Sequence, residues 1–465
     1  MRGQSDLFPL DEAYIHRALN QVPAEDPARI RDLLAKAREM KGLADPDLPP
    51  LTALQDPDLL QELFDTARWV KDQIYGNRIV LFAPLYVSNL CGNECLYCGF
   101  RASNRDLPRR ALTQAEIATE VSHLLGQGHK RLLLVAGEAY PEEGLDYILS
   151  AIRTIYGVRH GGDNIRRVNV NIAPLDLEDF RRLQAAEIGT YQLFQETYHR
   201  ETYARMHPRG RKADFDWRLG CMDRAMLAGI DDVGIGALFG LHDWRFELLA
   251  LMHHARHLEM RFGCGPHTIS VPRIEPAEGS ATSAAPPHAV SDGDFRKLIA
   301  ILRLAVPYTG LILSTREGPG MRREALNLGI SQISAGSRTS PGGYEEESME
   351  GGAQFSLGDH RSLDEVVLNL AEMGFMPSFC TGCYRLGRTG PDFMDLAKPG
   401  EIKAHCHPNA LSTLQEYLDD HASPATRNVA ERLLAGSLAG LEGPTRELAE
   451  GMVSRVKQGA RDVFC

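Results

Sequence analysis

The sequence predicts an α/β fold: a (β/α)8 TIM-type barrel with N-terminal helices and a helical C-terminal extension that carries a second cysteine group. Three observations predict it. Eight short apolar runs recur between residues 79 and 337, amphipathic stretches of helical period separate them, and the C-terminal ends of the runs turn polar. The length of 465 residues suits one large barrel with extensions. With 43% hydrophobic and 24% charged residues, the chain has the ordinary balance of one that buries a sizeable core.

Residues 1–78 are expected to form an N-terminal helical segment. In DPARIRDLLAKAREM, Asp26 is placed to cap, Pro27 fills the first helical position, and Ile30, Leu33, Leu34 and Ala37 share one face. DPDLLQELFDTARWVKDQIYG repeats the design from Asp56 and Pro57, and Gly76 is placed to end it. From residue 79 the period shortens. The apolar runs are 79–89, 131–138, 167–174, 190–197, 232–240, 267–272, 311–317 and 331–337, and they place the barrel over 79–379. Segments such as TQAEIATEVSHLLGQG and EDFRRLQAAEIG supply helices between them. The Gly/Ser-rich, acidic SRTSPGGYEEESMEGGAQ reads as an exposed loop, and HRSLDEVVLNLAEMG after it reads as an amphipathic helix. Residues 380–465 form the C-terminal extension, with several helices and cysteines of its own.

The polar strand-end residues are Ser88, Asn89, Glu138, Glu196, Arg316, Glu317 and Ser337. In a barrel these ends form the catalytic mouth, although strand ends are also simply where polarity begins. The formal net charge of −11 argues against a nucleic-acid backbone or an anionic membrane as the main partner. No apolar run approaches the ~18 residues of a membrane span. The opening MRGQSDLFPLDEAY lacks the apolar core of an export signal. A cytoplasmic location is therefore expected, where the nine cysteines should not form disulfides. Six of them fall into two groups, 91, 95, 98 and 380, 383, 406. Cys221 and Cys264 read as small packed residues, and Cys465 as a frayed end. The chain has no Walker loop, dinucleotide fingerprint or HExxH helix, which disfavours nucleotide hydrolysis, nicotinamide chemistry and zinc proteolysis.

CGNECLYCGF places Cys91, Cys95 and Cys98 just past the first predicted strand, in a Cys-x3-Cys-x2-Cys spacing. Three thiolates on one short loop hold three corners of a cubane cluster and leave one iron open to a small molecule's amino and carboxylate groups. A zinc site wants a fourth protein ligand nearby, and no His or further Cys flanks this loop. The second group, Cys380, Cys383 and Cys406, is again three cysteines. On spacing alone it serves either a second cluster with an open iron or, with His405 or His407, a Cys3His zinc site.

Taken in order, YVSNLCGNECLYCGF, NIAPLDLEDF, QETYH, GPHTISVPR, VPYTGLILSTRE, GISQISAGSRT and FCTGCYRLGRTGPDFM resemble the radical S-adenosylmethionine superfamily. Within it they resemble the FeFe-hydrogenase maturases of the HydG type, tyrosine lyases related to the thiamine-pathway enzyme ThiH. The resemblance implies a 4Fe–4S cluster on Cys91, Cys95 and Cys98 that cleaves S-adenosylmethionine. Glu138 then meets the methionyl amino group, Arg218 the methionyl carboxylate, Glu196 the ribose and Tyr97 the adenine. Arg316 matches the arginine that binds the substrate carboxylate, a task for which a guanidinium fork is suited; Tyr308 and Ser337 are weaker candidates for pocket walls. The implied reaction breaks the Cα–Cβ bond of L-tyrosine into p-cresol and dehydroglycine. On Cys380, Cys383 and Cys406 the resemblance implies an auxiliary 4Fe–4S cluster with an additional labile iron, for which His267 is the protein ligand. There the fragment becomes CO and cyanide in an iron carbonyl–cyanide unit. Arg385 and Arg388 either balance cluster charge, stabilise an anionic fragment or tie the extension to the barrel. Implied partners are an electron donor and a downstream hydrogenase-maturation scaffold protein, with no nucleic acid and no membrane. Two other readings stand beside this one: a ThiH-like 2-iminoacetate synthase whose C-terminal metal is structural, and a non-catalytic iron–sulfur scaffold or carrier. The intact first triad and Arg316 argue against the last.

Overall fold

The structure is a computed structural model that describes residues 8–22, 24–345 and 351–465. Residues 1–7 of the opening segment and residues 346–350 of the Gly/Ser-rich stretch lie outside the described residues.

Eight parallel strands close into a barrel: β1 (Arg78–Ser88), β2 (Arg131–Ala136), β3 (Arg167–Asn171), β4 (Tyr191–Gln192), β5 (Val233–Gly236), β6 (Thr268–Ser270), β7 (Gly310–Leu313) and β8 (Gln332–Ser334). Each pairs with the next, and β1 pairs with both β8 and β2 to close the ring. Six fall inside the apolar runs of the sequence, and β1 and β7 begin one residue before theirs, at Arg78 and Gly310. Several are shorter than their runs because the chain leaves the ladder early: β4 keeps only Tyr191 and Gln192, and the residues after it turn into the mouth.

The two N-terminal helices form as their caps dictate. Asp26 accepts from Ala28 N ahead of helix Pro27–Ala37, and Asp56 accepts from Asp58 N and Leu59 N ahead of helix Pro57–Tyr75. Each cap contributes about 1 kcal/mol. Helix Pro57–Tyr75 buries Leu59, Leu63, Val70 and Ile74 and packs against helix Asp292–Ala305 of the outer ring. Each such side chain contributes about 1.5–3 kcal/mol. Gly76 then turns the chain into β1 with a left-handed φ of 63°.

A ninth strand, β9 (Met376–Ser378), was not expected from the sequence. It pairs with Arg78–Val80 of β1, on the edge that β2 takes higher up from Ala83 onward. Three residues with a proline among them carry no strand period. β9 matters for position, because it delivers Cys380 to the N-terminal end of the barrel, where Arg131 Nη2 donates to the Cys380 carbonyl at 2.9 Å. Helix Lys403–Asp420 docks at the same end through a buried ion pair between Glu416 and Arg166.

Two expectations need correction. The described part of the Gly/Ser-rich stretch is not an exposed loop. Pro341–Tyr344 are buried, the Tyr344 hydroxyl donates to Pro84 O at 2.7 Å, and Tyr344 N donates to Glu120. The aromatic anchors Tyr344 and Phe355 fold the segment back over the barrel, which its composition hid. Cys465 is not a frayed end: its N–H donates to Asn409 Oδ1 at 2.9 Å, and its carbonyl accepts from Arg388 at 2.5 Å. Cys221 and Cys264 are buried, as expected of small packed residues.

Candidate active site and second cysteine centre

The barrel mouth holds a cavity of about 180 Å³. Cys91, Cys95 and Cys98 lie in its wall with Tyr97, Glu138, Glu196, Arg218 and Arg316, so all eight candidates of the upper site meet in one place. The cysteine loop is set there by the backbone of β2. Gly137 N donates to Ser88 O at 2.8 Å, Ala139 N donates to Leu90 O at 3.1 Å, and a methyl group on Gly137 would lie 2.2 Å from Leu90 O. Only glycine lets the two backbones approach this closely.

Charges of both signs surround the thiols. Arg218 Nη1 donates to Glu138 Oε1 at 2.8 Å, and Arg218 Nη2 reaches Glu196 Oε1 at 3.4 Å. Lys212 Nζ donates to Glu196 Oε1 at 2.7 Å, and Asn93 of the cysteine loop donates to Glu138 Oε2 at 2.7 Å. Burial works against the charged Glu138 carboxylate, yet Arg218 and Lys212 hold its pKa below the ordinary value. Glu196 has a φ of 72°, rare for a residue with a side chain and typical of strained functional positions. Glu247 holds it there by accepting from Thr197 Oγ1 and from Tyr198 N, the two residues that follow. His207 donates from Nδ1 to Tyr203 O, which leaves Nε2 to accept the Tyr97 hydroxyl at 2.9 Å. Burial raises the thiol pKa of all three cysteines, that of Cys98 to about 11.

Arg316 stacks on the Phe355 ring at 3.3 Å. Among the described residues its guanidinium makes no hydrogen bond or ion pair, so a complete donor fork faces the cavity. The segment after residue 350 fixes it from behind: Gly358 N donates to Thr315 O at 2.9 Å, and a methyl group on Gly358 would lie 2.3 Å from Arg316 O. The other polar strand-end residues brace loops instead. Asn89 binds Pro108 O and Arg110 N, and Glu317 pairs with Arg273. Two weaker wall candidates are corrected. Ser337 is buried outside the cavity wall, because β8 ends at Ser334 and the chain has already turned. Tyr308 precedes β7, so it lies at the barrel's other end, where its hydroxyl donates to Glu259 at 2.7 Å.

At that other end a smaller cavity, about 40 Å³, is lined by Cys380, Cys383, Cys406, His267, Arg78, Arg131 and Tyr384. Cys383 sits in the short helix Gly382–Arg385 and Cys406 in helix Lys403–Asp420, while His267 precedes β6. His267 Nε2 is 3.2 Å from the Tyr384 hydroxyl and Nδ1 is 3.6 Å from Asp232 Oδ1. Arg167 stacks on Tyr384 at 3.3 Å. Arg385 and Arg388 tie down the chain end: Arg385 pairs with Asp462, and Arg388 holds Cys465 O. Arg388 also favours the Cys383 thiolate, whose pKa is lowered chiefly by a hydrogen bond from Cys406 and then by Arg388 and Arg78.

Three thiols line the mouth cavity and three the lower one, a donor set that would hold an iron–sulfur cluster at each. Among the described residues, the groups of three His, Cys, Asp or Glu ligand atoms lying mutually within 4.8 Å are Glu12, His16, His199 and Asp163, Asp420, His421; neither contains a cysteine. A tetrahedral zinc with ~2.3 Å bonds to sulfur would hold three thiolates ~3.8 Å apart. A cubane binds them at separate corners and sets them wider. Among the described residues the buried Nε atoms of Arg78 and Arg131 and Nδ1 of His267 have no hydrogen-bond partner, as expected of donors that face an anionic or metal-bearing group.

Sequence reasoning missed Lys212, Asn93, His207 and Glu247 at the mouth, and Arg78, Arg131 and Tyr384 below. Lys212 sits in HPRGRKAD, which reads as a solvated basic loop. The lower arginines did leave a signal: Arg78, Arg131 and Arg167 are the first residues of β1, β2 and β3. First positions of parallel strands converge at one end of a barrel.

Residues 85–252 match the family model of the Radical SAM superfamily, and residues 270–376 match that of the Biotin and Thiamin Synthesis associated domain. A crystal structure of HydG, a maturase of the [FeFe]-hydrogenase, superposes with a TM-score of 0.94 at 47% identity, covering 98% of this chain and 99% of that one. The HydG structure from Carboxydothermus hydrogenoformans gives 0.84 at 41% identity, covering 96% and 98%. The 2-iminoacetate synthase of Escherichia coli is 34% identical over 76% of this chain and 91% of its own.

Proposed function

The chain belongs to the HydG family of radical S-adenosylmethionine enzymes, and from that premise we propose that it is a carbon–carbon lyase acting on L-tyrosine. The products are p-cresol and dehydroglycine, and the latter is converted to CO and cyanide for an iron carbonyl–cyanide unit used in hydrogenase assembly. The family implies a 4Fe–4S cluster and S-adenosylmethionine; when bound they supply the reducing electron and the 5′-deoxyadenosyl radical.

The chain's own residues bind, orient and shield. Cys91, Cys95 and Cys98 would hold the first cluster. Glu138 and Arg218 carry the charges that a methionyl amino group and carboxylate need, Glu196 would take the ribose, and Tyr97 the adenine. The two carboxylates and two cations of this group nearly cancel, which suits a zwitterionic ligand that brings one further positive charge. Arg316 would bind the tyrosine carboxylate. Its uncommitted fork in the mouth cavity is the single observation that carries the amino-acid reading. Phe355 and the segment behind it exclude water from the same wall.

At the lower end Cys380, Cys383 and Cys406 would hold the auxiliary cluster and His267 the labile iron, with Arg78 and Arg131 offsetting their charge. A 2-iminoacetate synthase reading uses the mouth alone. The presence of three thiols, a histidine and uncommitted arginine donors in one buried chamber favours the longer path. Anaerobic incubation with tyrosine, S-adenosylmethionine and a reductant is expected to yield p-cresol. If S-adenosylmethionine is cleaved and p-cresol is absent, the lyase reading fails.

A further inference from the structure

Away from both triads, we infer that Glu12, His16 and His199 form a site for a divalent first-row transition-metal ion that clips the N-terminal helix to the loop leaving β4. Glu12 and His16 stand four residues apart on helix Glu12–Asn20, so both side chains leave one face. His199 arrives from the far side of the sequence as the N-cap of helix Arg200–Met206. One donor atom from each of the three lies within 4.8 Å of the other two. Small side-chain rotations close that spread to the ~3.4 Å between donors on a tetrahedral ion with ~2.0–2.1 Å bonds.

The surroundings are those of a supported ligand set. His16 and His199 meet edge-on, with ring centres 5.8 Å apart at 89°. His242 lies flat on His199 at 3.9 Å and backs one of its faces. His199 Nδ1 lies 2.9 Å from Thr202 Oγ1 and 3.3 Å from Thr202 N. With Nε2 on the ion, Nδ1–H would donate to the Thr202 hydroxyl in place of accepting from that N–H, and Glu12 Oε1 accepts from Arg200 N at 3.0 Å. Ligating imidazoles and carboxylates take this kind of outer support. The nearest competing cation is Arg200, whose Nε stands 3.9 Å from Glu12 while its Nη2 binds Asp216 at 2.9 Å. An exposed pair at that distance is weak. The other triplet of like spacing is already neutralised, Asp163 by Lys130 and Asp420 by Arg461.

Two imidazoles and one carboxylate suit zinc(II), iron(II) or cobalt(II) and leave a position for water, so the ion would exchange. The helix that His199 caps leads to His207, the partner of the Tyr97 hydroxyl. An ion here therefore braces the outer support of the mouth without entering it.

The test is zinc binding by the chain reconstituted with iron and sulfide, so that the triad thiols are engaged, dialysed anaerobically against micromolar zinc chloride. Wild type should retain one zinc per chain. Glu12→Gln and His16→Asn should each weaken binding by about tenfold or more, while Asp420→Asn at the other triplet should not. Added zinc should raise the thermal midpoint of wild type and leave that of His16→Asn unchanged. Equal zinc binding by wild type and both ligand variants, or none by wild type, overturns the site.

Discussion

The two ends of the barrel each gather three cysteines, yet they surround them with opposite electrostatics. At the mouth, Glu138 and Glu196 face Lys212 and Arg218, and Arg316 adds an uncommitted fork. At the lower end Arg78 and Arg131 line the cavity, and among the described residues no carboxylate lines it, Asp232 standing behind His267. The mouth cavity is also the larger, about 180 Å³ against 40 Å³. A site of mixed charge with room selects small ligands that come and go. A tight cationic chamber holds a fixed anionic group and whatever it carries. The division follows from strand polarity, because loops after parallel strands build one end while the strands' first residues, three of them arginine, build the other.

Single substitutions separate the two ends. The largest effect is expected from Gly137→Ala, whose methyl group would collide with Leu90 O and displace the cysteine loop. Cleavage of S-adenosylmethionine should be lost, while the lower end keeps its iron; retained cleavage would show that the loop position is not set by this contact. Next is Arg316→Leu. Losing a buried charged partner costs about 2–5 kcal/mol, so kcat/KM for tyrosine should fall ~30- to 5,000-fold with the binding of S-adenosylmethionine unchanged. A parallel loss of cofactor binding would place Arg316 on the wrong ligand.

A smaller effect concerns pH. Burial raises the Glu247 carboxyl to about 8 from an ordinary 4.5. The folded chain therefore keeps a proton that the unfolded chain releases, and stability declines as pH rises from the ordinary carboxyl range toward 8. Glu247→Gln keeps an acceptor for Tyr198 N, lets its amide N–H donate to Thr197 Oγ1 in place of accepting from it, and removes the titration. Its stability relative to wild type should increase by ~1–3 kcal/mol between pH 5 and pH 8. Parallel wild-type and variant stability curves over that range would contradict the protonated carboxyl.

Much of the frame was legible in the sequence because it rests on local rules. Asp26, Asp56 and Gly76 cap their helices by short-range hydrogen bonds and backbone conformation, and all eight barrel strands coincide with apolar runs to within one residue. Glu138, Glu196 and Arg316 could be picked out because strand ends share one mouth and the three cysteines by their spacing, whereas Arg218 and Tyr97 were indicated only by the family resemblance. What stayed hidden depends on tertiary closure. β9 exists only because β1 offers it an edge. Lys212 belongs to the site only because its loop folds under Glu196. Pro341–Tyr344 look like linker until Tyr344 finds Pro84. Arg316 was legible as a residue, but that its guanidinium has no hydrogen-bond or ion-pair partner among the described residues, the feature that makes it a binding group, appears only in three dimensions.

We propose that the two ends divide the work, the mouth releasing p-cresol and the lower triad making CO. The most direct test measures both products from one reaction mixture of Cys383→Ser with tyrosine, S-adenosylmethionine and reductant. The division predicts p-cresol near the wild-type level and no CO. Undiminished CO from that variant would contradict it.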